Sequence, residues 1–134
     1  MNEPRVRYLS LEWIDALSRE VAASGALTEL AATHTVGITQ VVSNGPEGNV
    51  LYHLQIGDGR AEFGPGAADP EDVRFEQDWD TAVAVATEQL NAQQAFITGR
   101  IRLTGDQQRL LESTPVFQAL DAVFTTVRAR TDYV

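Results

Sequence analysis

Cysteine is absent, which excludes disulfides, thiol catalysis and thiolate metal sites. Lysine is absent as well: all 10 basic residues are arginine, against 19 acids, for a net charge of −9. We read the arginine-only usage as GC-rich coding rather than function. A chain of that sign is poorly suited to nucleic acid, whose binding rests on neutralising phosphates, and anionic lipid surfaces repel it. No apolar run approaches the roughly 20 residues that a bilayer span needs. The N-terminus lacks the charged-then-apolar pattern of a signal peptide. These absences make a cytoplasmic location the expectation.

Catalytic material is scarce too. His34 and His53 are the only histidines, too few for a metal site without well-placed carboxylates, and both read as ordinary strand or surface residues. No Gly-x-Ser-x-Gly elbow occurs, and no phosphate loop or dinucleotide fingerprint leads from a strand into a helix. Asp69, Glu71, Asp72, Glu76, Asp78 and Asp80 form an acidic cluster. Without EF-hand spacing it reads as a solvated face rather than a calcium loop or a site for a basic partner. The expectation is a non-enzyme without metal or cofactor.

What is present is a globular composition: 134 residues, 43% hydrophobic, read as one domain over 1–134. Residues 1–9 carry little signal and read as a loose lead-in. Ser10 caps a helix with the stripe Leu11, Ile14, Leu17 and Val21, Trp13 beside it, ending near Ser24-Gly25. Leu27 and Leu30 suggest a further turn of helix. His34–Ser43 and Val50–Ile56 alternate as strands around the turn cluster 44–49. Pairing Val42 with Tyr52, Gln40 with Leu54 and Ile38 with Ile56 keeps one face apolar. A short strand follows with Ala61 and Phe63 inward, then the breaker-rich loop 64–70, then a fourth strand marked by Val73 and Phe75.

The stretch 78–106 is the most informative. Asp78 caps a helix carrying Trp79, Ala82, Val83, Ala86 and Leu90. Asn91 and Gln94 have capping-box spacing, and Gly99 stops the helix of Ala95, Phe96 and Ile97. Arg100–Thr104 alternates as a fifth strand, Ile101 and Leu103 on one face. A short helix over 107–112 follows. Thr114 and Pro115 then start a last helix, Thr as the cap, with a broad stripe of Val116, Phe117, Leu120, Val123, Phe124 and Val127. This order predicts an α+β fold, helices on one face of a five-stranded sheet.

ATEQLNAQQAFITGRIRLTGD resembles the signature of sterol carrier protein type 2 domains. Ala95, Phe96, Gly99, Arg100, Ile101, Leu103, Gly105 and Asp106 occupy the matching positions, and Ile56-Gly57-Asp58-Gly59 resembles the family's hairpin turn. The likeness covers roughly 35–112. Glu88 departs from it, standing where relatives often have glycine, at the pocket mouth. The resemblance implies a mixed, mostly antiparallel sheet with a lipid-accepting tunnel under the helices. It also implies a bacterial source, since the chain ends Asp132-Tyr133-Val134 rather than in the Ser-Lys-Leu address common in eukaryotic relatives.

Two functions are weighed. The first is non-catalytic binding of a lipid, fatty acyl chain or sterol-like molecule between sheet and helices, as a carrier with transient membrane contact. Small residues (Gly37, Ala61, Ala82, Ala86, Ala92, Ala95 and Ala119) facing a Phe-rich last helix would leave the room, and that helix would be the lid. Trp79, Val83, Phe96, Ile101, Leu103, Phe117, Leu120 and Phe124 are expected to line it. Gln40, with Tyr52 near it, is the candidate polar anchor, and reads equally as a strand-end residue reaching solvent. The second is an interaction or dimerisation module with a filled core and no ligand, using an apolar patch around Phe117 and Phe124.

Overall fold

Two alternating strands meet at a tight turn near the middle of the chain, and the rest of the fold is laid against them. The computed structural model describes residues 5–46, 48–129 and 131–133. In chain order the elements are β1 (Val6–Arg7), α1 (Leu11–Ala23), α2 (Gly25–Leu30), β2 (Val36–Gly45), β3 (Gly48–Gly57), β4 (Arg60–Pro65) and β5 (Val73–Asp78). Then come α3 (Trp79–Ala86), α4 (Ala92–Ile97), β6 (Arg102–Gly105), α5 (Gln107–Glu112), α6 (Thr114–Arg128) and β7 (Thr131–Asp132). The fold is α+β. Five strands form one mixed sheet in the order β4-β3-β2-β5-β6, with only the β2–β5 pair parallel.

The hairpin holds the first correction. The expected face is right, but the register is two residues off: Val42 pairs with Val50, Gln40 with Tyr52 and Ile38 with Leu54. A shift of two preserves every side chain's face, so hydrophobic alternation cannot distinguish the two registers. The turn decides. Asn44 takes a positive φ of 60° and Gly45 pairs with Gly48, so the ladder runs further into the turn than expected. Glu47, part of the predicted turn cluster, lies outside the described residues.

The front face of the sheet is filled unevenly. On the β3–β4 side, α1 lays Trp13 into an aromatic cluster with Tyr52 (5.4 Å between centroids), Phe63 (6.2 Å) and Phe124 (6.1 Å). Leu17 and Val21 are fully buried beside it, whereas Leu11, predicted in the stripe, is 72% exposed. On the β5–β6 side the cover is only the short α3, α4 and α5. The expected caps Asp78 and Asn91, and also Asp106 ahead of α5, each accept hydrogen bonds from backbone N–H groups of the first turn. α3 stops at Ala86, short of Leu90. The Thr87 hydroxyl donates to the Val83 carbonyl (2.7 Å), and Glu88 takes a left-handed φ of 64°. That is the conformation glycine adopts at least cost, so Glu88 carries backbone strain there.

α6, the expected lid, is packed along its inner face. Val116, Val123 and Val127 are buried, and the helix packs on both α1 and α2. Its cap position is Ser113, not Thr114; the Thr114 hydroxyl instead donates to the Leu111 carbonyl (2.8 Å). The lead-in is also tied down over its described part. β1 pairs in parallel with β7, and Tyr8 and Leu9 are buried; residues 1–4 lie outside the described residues.

Gly37 does not face the helices either. It lies on the back of β2, under a strap (residues 66–72) that carries the chain from β4 across β3 and β2 to β5. Gly66 O contacts His53 Nδ1 (3.1 Å), and Ala68 N–H donates to Thr39 Oγ1 (2.9 Å). Asp69 N–H donates to Gln55 Oε1 (3.1 Å). At the far end Asp72 accepts from Gly37 N–H (2.7 Å) and donates its own N–H to the Gly37 carbonyl (2.8 Å). Part of the acidic cluster therefore has fixed work: Asp72 pins the strap, Asp78 caps α3, and Glu71 pairs with Arg74 (3.0 Å).

The Asp78 cap gives a first prediction. Its carboxylate is held below the usual range, first by the Thr81 hydroxyl and then by the Thr81 N–H, which donates at 2.8 Å. Asp78→Ala should cost about 1 kcal/mol at neutral pH. Because the folded-state pKa is depressed, that contribution is complete above the unfolded carboxylate's pKa and is lost as pH falls through the folded one. Urea unfolding at neutral pH and at about pH 3 should show the gap between wild type and Asp78→Ala shrinking in acid. A gap independent of pH would remove the ionised cap from the account.

Candidate functional site

The parallel pairing of β2 with β5 sets Val42 beside Gln77 and Gln40 beside Phe75. Strand alternation puts all four on the front face. The two glutamines meet there, Gln77 Nε2 donating to Gln40 Oε1 at 3.2 Å. Across the other edge of β2, Gln40 pairs directly with Tyr52.

Three recesses converge on Gln40. The largest, about 760 Å³, lies over β5 and β6. Its floor is Phe75, Ile101 and Leu103, its wall Phe117 of α6, and its rim Phe96, Ile97, Leu110 and Leu111 of α4 and α5. Among the described residues no charged side chain lines it. The rim is open: Ile97 is 80% exposed and Leu111 71%. The volume falls within the range of small-molecule sites, and the lining is of their usual kind, apolar with few polar groups. The second recess, about 210 Å³, runs between the β2–β4 front face and α6, past Tyr52, Phe117, Leu120 and Phe124. The third, about 220 Å³, is more polar, bounded by Tyr8, Tyr52, Gln77, Asp121, Arg128 and Tyr133 among others.

Eight of the ten candidate residues border these three recesses. Gln40 borders all three recesses, and Tyr52, Phe117 and Phe124 two each. Phe96, Ile101 and Leu103 sit in the large groove and Leu120 in the second recess. Trp79 and Val83 border none of them. Trp79 stacks at a tilt on Tyr8 (5.4 Å) beside the β2–β3 turn, and Val83 packs against the core. Helical periodicity marked both as inward-facing, but inward at the start of α3 means toward the β1 end rather than the groove. Sequence reasoning missed Gln77, although the alternation Val73, Phe75, Gln77 already places it on the inner face. Ile97 and Leu111 gave no signal, since their exposure comes from how two short helices are docked. Arg128 gave none either: it reaches back from the end of α6 to Glu88 (2.9 Å).

The electrostatics around Gln40 disfavour negative charge. Burial pushes the Tyr52 phenol up, and burial followed by the neighbouring Tyr52 and Tyr133 hydroxyls pushes up Tyr8. Among the described residues no three His, Asp or Glu side chains are grouped to hold a metal. His34 Nδ1 contacts the Leu30 carbonyl (3.1 Å) and His53 the Gly66 carbonyl, in separate parts of the molecule.

The family model described as the SCP-2 sterol transfer family matches residues 14–118, from α1 into the first turns of α6. The chain belongs to that family. Solved structures agree on the fold. A conserved hypothetical protein from Thermus thermophilus has a TM-score of 0.63 at 21% identity, covering 98% of this chain and 96% of its own. A sterol carrier protein 2 crystal structure has a TM-score of 0.61 at 22% identity, covering 90% and 97%. The apo sterol carrier protein 2 of Yarrowia lipolytica has a TM-score of 0.59 at 15% identity, covering 86% and 88%. No curated protein sequence matches the chain. The SCP-2 match extends the resemblance in the sequence, which covered only 35–112, to include α1. Among the described residues of this SCP-2 chain, no helix is long and apolar enough to cross a membrane.

Proposed function

We propose that this SCP-2 family chain reversibly binds a lipid, fatty acyl chain or sterol-like molecule in the groove over β5 and β6, without catalysis, as a carrier. The observation that carries the reading is an uncharged apolar groove of about 760 Å³ that ends on a single amide pair and opens to solvent. Each methylene buried there contributes about 0.8 kcal/mol, so an acyl chain of about ten methylenes gains roughly 8 kcal/mol gross. Ordering costs bring that to about micromolar affinity. Gln40 is the polar anchor, with Tyr52 beside it. Entry is past Ile97 and Leu111. The same rim is where transient membrane contact would occur: the stretch 89–105 contains Arg100 and Arg102 and no acid, in a chain of net charge −9. Native mass spectrometry of the purified protein should show a bound lipid, and titration with a fluorescent acyl probe should saturate at micromolar concentration. No co-purifying lipid together with no probe binding would end the carrier reading.

The exposed rim favours one second reading, an interaction or dimerisation module. Its apolar patch would be Phe96, Ile97 and Leu111 rather than Phe117 and Phe124, which lean into the core. Light scattering discriminates: a stable dimer that binds no probe would support the module.

A further inference from the structure

The Gln40–Gln77 pair carries a consequence for which ligands the groove accepts. Each primary amide offers two N–H donors and one carbonyl. The hydrogen bond between them uses one donor of Gln77 and the Gln40 carbonyl, and neither side chain makes another hydrogen bond among the described residues. The Gln40 NH₂, the second Gln77 N–H and the Gln77 carbonyl are left over. If both amides were rotated by half a turn, the bond would run the other way, and one NH₂, one further N–H and one carbonyl would again be left. In either orientation the pair therefore presents spare donors next to a spare acceptor on two half-buried side chains, Gln40 bordering all three recesses and Gln77 the large groove and the more polar recess.

We propose that this pair is a head-group subsite selecting an uncharged head that both accepts and donates a hydrogen bond, a hydroxyl or primary amide, over a carboxylate. The inference rests on the carrier reading above and deepens it. A hydroxyl accepts from the spare NH₂ and donates to the spare carbonyl. An ionised carboxylate uses the NH₂ but has no proton for the carbonyl, which it leaves desolvated and facing negative charge. Among the described residues no free cation compensates. Of these, the charged ones bordering the three recesses are Asp121 and Arg128; Asp121 has the wrong sign, and Arg128 is paired with Glu88. The upward push on the neighbouring Tyr52 and Tyr8 phenols reflects the same cost of placing an anion here.

The test is displacement of the uncharged dye Nile red at about pH 8 by four ligands of one chain length: 1-dodecanol, dodecanamide, dodecanoate and dodecane. The alcohol and the amide should bind about tenfold more tightly than dodecanoate, the effect of roughly one hydrogen bond. The double variant Gln40→Met with Gln77→Met keeps both side-chain lengths and removes every amide donor and acceptor of the pair, and should reduce that preference to below about threefold. Gln40→Leu with Gln77→Leu is the second variant, used where the methionine pair does not fold by its melting curve. Dodecanoate binding as tightly as dodecanol overturns the subsite while leaving the carrier reading intact. So does a preference that survives both variants. Four ligands that all fail to displace or bind would overturn the carrier reading and the subsite with it.

Discussion

Gly37→Ala should destabilise the protein by about 3 kcal/mol or more, the range of changes that force a packed backbone apart. A Cβ at this position would lie 1.9 Å from the Pro70 carbonyl oxygen and 2.8 Å from Gln55 Nε2. The first contact is with backbone, which cannot rotate away, so the strap itself must lift. Lifting it breaks the reciprocal Gly37–Asp72 hydrogen bonds and strains those of Ala68 with Thr39 and Asp69 with Gln55. Thr39 is fully buried, so its hydroxyl would lose a partner without gaining water. Gly25→Ala is the control. Gly25 is exposed at the start of α2, and a Cβ added there would meet nothing within 4 Å, so alanine should be neutral or stabilising by up to about 1 kcal/mol. Urea midpoints followed by circular dichroism read both. A Gly37→Ala loss below about 1 kcal/mol would mean that the strap does not hold the back of the sheet.

That glycine marks the limit of what the sequence could tell. Strands, caps and chain order were legible because each is a local property. Asp78 and Asn91 sit where cap spacing puts them, and Val36, Ile38 and Val42 alternate onto the core face. Gly37 was grouped with small residues facing the helices, although its neighbours' parity puts it on the other side; what it accommodates is a segment more than thirty residues away. The two-residue register error has the same origin, since the turn, not the face pattern, fixes it. Within the site, the floor residues Leu103 in β6 and Ile101 just before it, and the polar Gln40 in β2, were readable from alternation. Trp79 and Val83 were misplaced because a helix of eight residues turns through every direction, and only its docking says which one meets the groove. The rim could not be read at all. Ile97 and Leu111 are apolar residues that look like core until two six-residue helices leave them outside.

Leu103→Glu should weaken binding of an uncharged acyl ligand at least about hundredfold while costing the fold little. Leu103 is half-buried on β6, an edge strand of the sheet, opposite Phe75 on the groove floor. In the empty protein a glutamate there reaches water through the open side of the groove, so its carboxylate stays solvated. With ligand bound, the same carboxylate must lie against the alkyl chain or displace it. Burying an unpaired charge is far more costly than the roughly 2.7 kcal/mol that a hundredfold loss represents, so the ligand leaves instead. Leu103→Met preserves volume and apolarity and should keep the dissociation constant within about threefold. Nile red titration of the three proteins, each checked by its melting curve, separates the outcomes. Wild-type affinity in a folded Leu103→Glu protein would place the ligand away from β6, in the smaller recesses beside Tyr52. A parallel loss in Leu103→Met would point to the shape of the edge strand rather than to the polarity of the floor.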